Sequence, residues 1–379
     1  MKTIQETLHQ TGYVDAHLHV WEFALFNRFA DLSECADLEE LVETLKSRPV
    51  RGWAVGVRFN QERLAERRIP ARDFLDYAFG STPAVIVRTC LHLAVANTAA
   101  MQRLGFFAED GIFYEAQVFS LLKSLVDGLR LEHQEILAEG LGELRKLGVV
   151  KAIDMGMDRH KLPLFAGLDH GVKEGVKVDF YTVDFEILDE ALGYKIFLDG
   201  GLGARTAALT EEYADDPGNC GRLNYTDEAL LSLVERVHQK DKPIAAHAIG
   251  DRAVDQFLRV IKKSHHPGDR LEHVQYAREE QLDALAELGI PVCIQPIFSR
   301  EIPWARYRLG PERMKTAYAW GLMRAKGIRL LAGSDAPVEP PDPREAAVTV
   351  ARLEGPHHLD LETVLELFAR ANQEFYNSL

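Results

Sequence analysis

The chain lacks most features that would set it apart from ordinary globular enzymes. Its 379 residues include only four cysteines, Cys35, Cys90, Cys220 and Cys293, far apart and without a CxxC pair. That spacing argues against a cysteine-ligated metal module and against a disulfide framework, leaving reduced thiols as the plain reading. No apolar run reaches the roughly eighteen residues of a membrane span, and the opening MKTIQETLHQTGYVDAHLHV has no apolar signal core. Positive charge is outweighed: the formal net charge is −14, the acids are spread along the chain, and no basic stripe offers a surface for nucleic acid. There is no internal repeat and no low-complexity tract. What remains, at 46% hydrophobic and 27% charged, is a composition suited to one large α/β domain with an insertion. A cytoplasmic enzyme acting on a small molecule is the expectation.

Short apolar segments alternate with helical patterns, which predicts a parallel α/β fold. Strands are expected near Tyr13–His19, Gly52–Phe59, Ala84–His92, Gly148–Met155, Lys177–Val183, Tyr194–Leu198, Pro243–Ala248, Arg270–Gln275, Ile290–Pro296 and Ile328–Ser334. That is two more than a (β/α)8 barrel needs. The extras are most economically Gly52–Phe59 and Ala84–His92, because the gap between the first strand and Gly148 far exceeds a βα loop of about two to six residues. A lid or insertion subdomain is therefore expected at 20–130, between barrel strands 1 and 2, within a single barrel domain spanning 1–379. Helices are expected after Thr226, after Asp251, over Glu279–Leu288 with Gly289 as the stop, and over Leu361–Tyr376.

Several of these strands end in a metal-type ligand just before a Gly, Pro or polar turn. His17 and His19 in VDAHLHV point to one face of an extended strand. Two neutral imidazoles there make half of a metal cage. Asp15 shares that face. Lys195 shares a face with Phe197 and Asp199, and a buried ammonium is costly unless it is paired, neutral or modified. A lysine carbamate would turn it into an anionic bridge between two cations; a lysine reaching solvent is the plainer alternative. His247 is expected to share a face with Ala245 and Ile249, and His273 with Leu271 and Gln275, while Glu272 and Asp251 face away or cap the next helix. Gly333 lets something large approach the backbone before Asp335, whose carboxylate at the strand mouth suits proton transfer to and from a water. Each residue alone is weak, since a lone buried histidine is more often core and an aspartate before a turn more often a cap. Their recurrence at strand ends is what points to a metal site of one or two divalent ions, with zinc first among the candidates. The glycines of DGGLGAR lack the layout of a phosphate loop and read as a flexible loop at the barrel mouth.

The segments VDAHLHV, RTCLHLAVANTAAM, YKIFLDGGLGARTAAL, IAAHAIGDRAVD, RLEHVQ and LLAGSDAPVEPPDP, in this order, resemble the amidohydrolase superfamily. More narrowly they resemble the YtcJ-like branch (amidohydrolase family 3) that includes N-substituted formamide deformylases. The resemblance implies a distorted metal-dependent hydrolase barrel. Its ligands would be His17 and His19 on the first strand, Lys195, carboxylated in many members, on the fourth, and His247 and His273 on the fifth and sixth. Asp335 on the eighth would be both ligand and catalytic base. It also implies substrate contacts from His92, Asn97 and Glu115, with Arg205 and Trp304 as pocket-wall residues. Two departures stand out. The small β-sandwich usual in the family has no counterpart in the strand pattern, which would leave a patch for a homodimer, and Cys90-Leu91 replaces the usual Asp-Gly before His92.

The leading expectation is hydrolysis of an amide or formamide C–N bond by metal-activated water, with Asp335 as general base and then acid. A deaminase on the same barrel is the second reading, disfavoured because Ala248, Ile249 and Gly250 follow His247 where a His-x-x-Glu acid would stand. A catalytically silent, ligand-binding barrel is the third, disfavoured by the complete ligand set.

Overall fold

The computed structural model describes residues 12–89, 91–165, 172–173 and 175–379; the leading residues 1–11 and Cys90 lie outside them. The chain divides into two compact units, one of Met1–Val20 with Leu141–Leu379 and one of Trp21–Gly140.

The first unit is a parallel α/β barrel. Its strands are β1 (Tyr13–Leu18), β2 (Val149–Met157), β3 (Val176–Thr182), β4 (Gly193–Phe197), β5 (Ile244–Ala248), β6 (Arg270–His273), β7 (Val292–Ile294) and β8 (Leu330–Ala332), each paired with the next in chain order. A short strand, Val172–Lys173, adds to β3 in antiparallel fashion. The sequences YVDAHL, IAAHA, RLEH, VCI and LLA are buried along their whole length. Strands covered on both faces read as continuous rather than alternating runs, which is why short apolar segments identified them. The helices follow their signals. Thr226 Oγ1 accepts the Ala229 amide, and Leu230, Val234 and Val237 bury one face of Asp227–His238. The helix Glu279–Glu287 stops before Gly289, whose φ is +66°.

Among the described residues no ladder joins β8 back to β1. Side chains span that seam, joined just past the strand ends by two backbone bonds, the Asp335 amide to the His17 carbonyl and the His19 amide to the Ala336 carbonyl, both at 2.7 Å. Asn372 Nδ2 donates to the carbonyls of Val14 and Ala332, both at 2.7 Å, while its Oδ1 accepts the Ala332 amide at 3.0 Å. Asn372 sits in this position because the last helix is not the single α-helix expected over Leu361–Tyr376. It runs as α over Leu361–Glu366, π over Leu367–Ala371 and α again over Asn372–Asn377. The wider π-turn changes the phase of the helix and so the side chain that faces the sheet.

The second unit has its own five-stranded sheet in the order Ala30–Asp31, Ala54–Phe59, Ala84–Arg88, Leu93–Ala96, Ile112–Tyr114. Its core includes Leu32, Leu41, Leu45, Phe59, Leu75 and Ile86. The two surplus strands of the sequence pattern pair with each other here, in parallel. The second ends at Arg88, short of the expected His92, because the chain turns at Leu91 (φ +60°) and returns antiparallel as Leu93–Ala96, a strand the sequence pattern missed.

Asn372→Ala is expected to lower stability by about 2–4 kcal/mol, since a buried backbone group left unpaired costs about 1–3 kcal/mol. A shift of the unfolding midpoint no larger than that of a surface Asn→Ala control would remove Asn372 from its role at the seam.

Candidate metal centre

The candidate ligands gather at the C-terminal ends of the barrel strands. His17, His273 and Asp335 are buried, and one ligand atom from each lies within 4.8 Å of the other two. His17 Nε2 and His19 Nε2 each stand 3.3 Å from Asp335 Oδ1, and His273 Nδ1 is 4.0 Å from Asp335 Oδ2. The His247 ring lies 4.6 Å from the His273 ring, centroid to centroid, and 5.5 Å from Phe197. His247 Nε2 faces the Gly200 carbonyl at 3.2 Å and Asp199 at 3.4 Å. Lys195 is 2% exposed, and its Nζ has no hydrogen-bond partner. The ammonium stands 4.9 Å over the Phe197 ring.

Backbone conformation aims two of these side chains. His273 (φ +74°), Val274 (φ +45°) and Asp335 (φ +60°) all lie in the left-handed region. For non-glycine residues, and for β-branched valine above all, that conformation is costly and persists only where surroundings enforce it. Here the Val274 amide bonds the Ala248 carbonyl at 3.0 Å and the Asp335 amide bonds the His17 carbonyl at 2.7 Å. Gly333 leaves the room for this: a Cβ at that position would stand 2.5 Å from His17 Cβ and 2.6 Å from its nitrogen. The large group that Gly333 admits is β1 itself.

The left-handed turn at His273 also overturns the facing expected on β6. Glu272 does not face away. It is wholly buried, with Oε2 2.6 Å from His17 Nδ1 and Oε1 2.5 Å from Arg270 Nε. Arg270 and Glu272 share the interior face by period two, and His273 reaches the mouth only because its backbone leaves the extended region. An opposite-charge pair at i and i+2 on an otherwise apolar strand was the sequence signal for this. Asp251 does lie in the first turn of its helix, but its Oδ1 accepts the Thr210 amide at 2.9 Å. Asp199 accepts the amides of Ala208, Ile249 and Gly250 at 2.8 to 3.0 Å. These bonds tie Asp199, the first residue of the DGGLGAR segment, to the strand ends.

Burial and charge set the protonation of the cluster. Burial pushes Lys195 down to about 8, partly opposed by the carboxylates of Glu272 and Asp335. Burial also takes His273 down to about 3 despite Asp335, keeping its imidazole neutral, the state a cation requires. Burial would raise Asp335, but His17, His19 and His273 outweigh it and hold the carboxyl well below its usual range. Asp15, which accepts the amides of His17 (3.2 Å) and Ser334 (3.0 Å), is raised by burial to about 6. The donor set fits a divalent cation. His17 Nε2 is a buried nitrogen without a hydrogen-bond partner, and a cation can take its lone pair; Lys195 Nζ, buried and also without a partner, lacks an acceptor, which an anionic group would supply.

The remaining expected residues have partners of their own. His92 and Glu115 belong to the Trp21–Gly140 unit and bond each other, Nδ1 to Oε2, at 2.7 Å. Glu115 has φ +51°. Asn97, expected at the substrate, is fully buried and spends its amide on backbone, accepting from Ala84 and Ala100 and donating to Thr82. Arg205 pairs with Asp215 at 2.9 Å. Trp304 lies on the helix Ile302–Arg313 with the Arg308 guanidinium 5.8 Å from its ring centroid, and Arg308 also bonds Asp215.

A model of the amidohydrolase family matches residues 11–372. The chain is 30% identical over 377 residues to YtcJ of Bacillus subtilis (strain 168), a protein that carries an amidohydrolase name; the match covers 88% of this chain and 71% of that one. It is 22% identical over 338 residues to the N-substituted formamide deformylase of Arthrobacter pascens, covering 75% and 62%. Among solved structures, an uncharacterized metal-dependent hydrolase from Pyrococcus horikoshii OT3 superposes with a TM-score of 0.80 at 28% identity, over 97% of this chain and 81% of that one. A second, from Pyrococcus furiosus, gives 0.76 at 27% identity, over 97% and 82%.

Gly333→Ala is expected to push His17 off its position, at an overpacking cost of about 1–3 kcal/mol, and to reduce the metal retained after dialysis at least several-fold. Gly142→Ala, where an added Cβ meets nothing within 4 Å, serves as the control. Equal metal content in the two variants would show that the close approach at Gly333 does not set the ligand geometry.

Proposed function

The chain belongs to the amidohydrolase family, and we propose that it hydrolyses a C–N bond of the amide or formamide type in a small molecule, with Asp335 as the proton-transferring group. The observation that carries this reading is the convergence of His17, His273 and Asp335, with His19 at 3.3 Å from the same carboxylate. A divalent cation held by His17, His19, Lys195, His247, His273 and Asp335, zinc being the first candidate, would acidify a water and polarise the scissile carbonyl.

The residues themselves supply the rest. Asp335, held well below its usual pKa, is an ionised carboxylate at neutral pH and accepts a proton from water. Having taken it, Asp335 returns the proton to the departing nitrogen, so the amine leaves neutral. His273, kept neutral by burial, keeps a lone pair for a cation. Lys195, with its pKa lowered to about 8, has a larger neutral fraction at pH 7 than an ordinary lysine. Its lone pair can attack carbon dioxide, forming the N–C bond of a carbamate and releasing one proton. That anion would answer the Nζ that lacks a partner.

Asp335→Asn is expected to lose about a hundred- to ten-thousandfold in kcat on a panel of N-formyl, N-acyl and cyclic amides, the range that general-base catalysis contributes. The variant should still bind a cation. Wild-type turnover in Asp335→Asn, or purified protein that holds no divalent metal and takes up none, would refute the reading. Protein equilibrated with 13C-bicarbonate should show a carbamate carbon signal that disappears in Lys195→Ala; a spectrum without it would exclude carboxylation.

A further inference from the structure

We propose that Glu272, tethered by Arg270, is a positioning residue that fixes His17 in the tautomer with its proton on Nδ1, so that Nε2 presents its lone pair toward the cation. The inference rests on the metal reading above and deepens it. An ionised carboxylate only accepts, so the 2.6 Å contact between Glu272 Oε2 and His17 Nδ1 requires the hydrogen on Nδ1. The carboxylate is not free to turn, because its other oxygen receives Arg270 Nε at 2.5 Å.

Arg270 is fixed in turn. It donates to the Tyr376 hydroxyl and, at 3.0 Å, to the Ala16 carbonyl. Its guanidinium packs over the rings of Tyr181, Phe375 and Tyr376 at 4.8 to 5.5 Å. Arg270 and Glu272 are both 0% exposed and His17 is 1% exposed, so water does not compete for any of these bonds.

His273 provides the contrast. Its Nδ1 donates to Gln295 Oε1 at 2.7 Å, and that amide is oriented by Nε2 donating to the Cys293 carbonyl at 3.3 Å. Both histidines are thus held with Nε2 bare, His17 by an anion and His273 by a neutral amide. An anionic partner also makes its imidazole the more basic ligand.

The test reads the proton directly. Long-range 15N–1H imidazole spectra of full-length protein in excess zinc, where the cation rather than a proton meets Nε2 beside Asp335, with His17 assigned by its loss in His17→Gln, should show Nδ1 protonated and no proton on Nε2. In Glu272→Gln the amide oxygen stays with Arg270 and the NH2 group faces His17 Nδ1, so the tautomer should invert. Zinc affinity, measured by chelator competition, should fall about ten- to a hundredfold. Tyr376→Phe, which removes one bond to Arg270 but keeps the carboxylate, should retain the wild-type tautomer. Glu272→Gln protein that folds with the wild-type tautomer and wild-type zinc affinity overturns the proposal. So does wild-type His17 protonated on Nε2, which decides the matter even if Glu272→Gln does not fold. Wild-type protein with the expected tautomer but no affinity for any divalent cation would refute the metal reading and leave the hold on His17 standing.

Discussion

The meeting of the last barrel strand with the first is the constraint on which the rest depends. β8 and β1 approach so closely that only glycine fits at 333, and side chains with two backbone bonds past the strand ends take the place of a ladder. Asn372 holds the seam at the level of Val14 and Ala332, Asp15 holds it at Ser334, and the Asp335 amide bonds the His17 carbonyl. These bonds lie at successive levels of one line. The uppermost of them fixes Asp335, whose carboxylate belongs to the candidate site. Barrel closure and the geometry of the site are therefore one event, because the same few backbone groups set both.

Below this line the barrel interior carries charge where an ordinary core would be apolar. Arg270 and Glu272 are fully buried, as is Lys195 to within 2%. Such groups seldom stabilise a fold. Removing one partner of a buried pair costs about 3–5 kcal/mol, yet replacing the whole pair with well-packed apolar groups is often neutral. The arrangement makes sense as support for a site. Each of Arg270's three nitrogens has an acceptor in Glu272, Tyr376 or Ala16, and the aromatic residues of the last helix cover the guanidinium. The C-terminal helix thus packs against the same charged column that ends at His17. Left-handed backbone at His273, Val274 and Asp335 is a second cost concentrated in the same place, as expected where function rather than stability decides conformation.

Much of this was legible from residues alone. Apolar runs located each barrel strand, because a strand buried on both faces must read as a continuous apolar segment. Thr226 and Gly289 marked helix ends for local reasons that need no tertiary contact. His17, His19, Lys195, His247, His273 and Asp335 stood out because polar residues closing buried strands need a partner, and a shared cation is the partner that suits all of them. The facing of β6 was misread because a period-two argument assumes extended backbone, and His273 is not extended. Asn97, which the family resemblance placed at the substrate, spends its amide on the backbone of Thr82, Ala84 and Ala100, contacts that no local pattern announces.

The sequence by itself determined which segments become strands and which side chains are able to bind a metal, since both follow from composition over a few neighbouring residues. Only the tertiary structure decided which way those side chains point and what stands behind them. The 2.6 Å contact from Glu272 to His17 joins positions 255 residues apart, and the seam at Asn372 joins positions 358 apart. No local pattern encodes a distance of that kind. It arises when the barrel closes and backbone strain, buried charge and close packing have to be satisfied together.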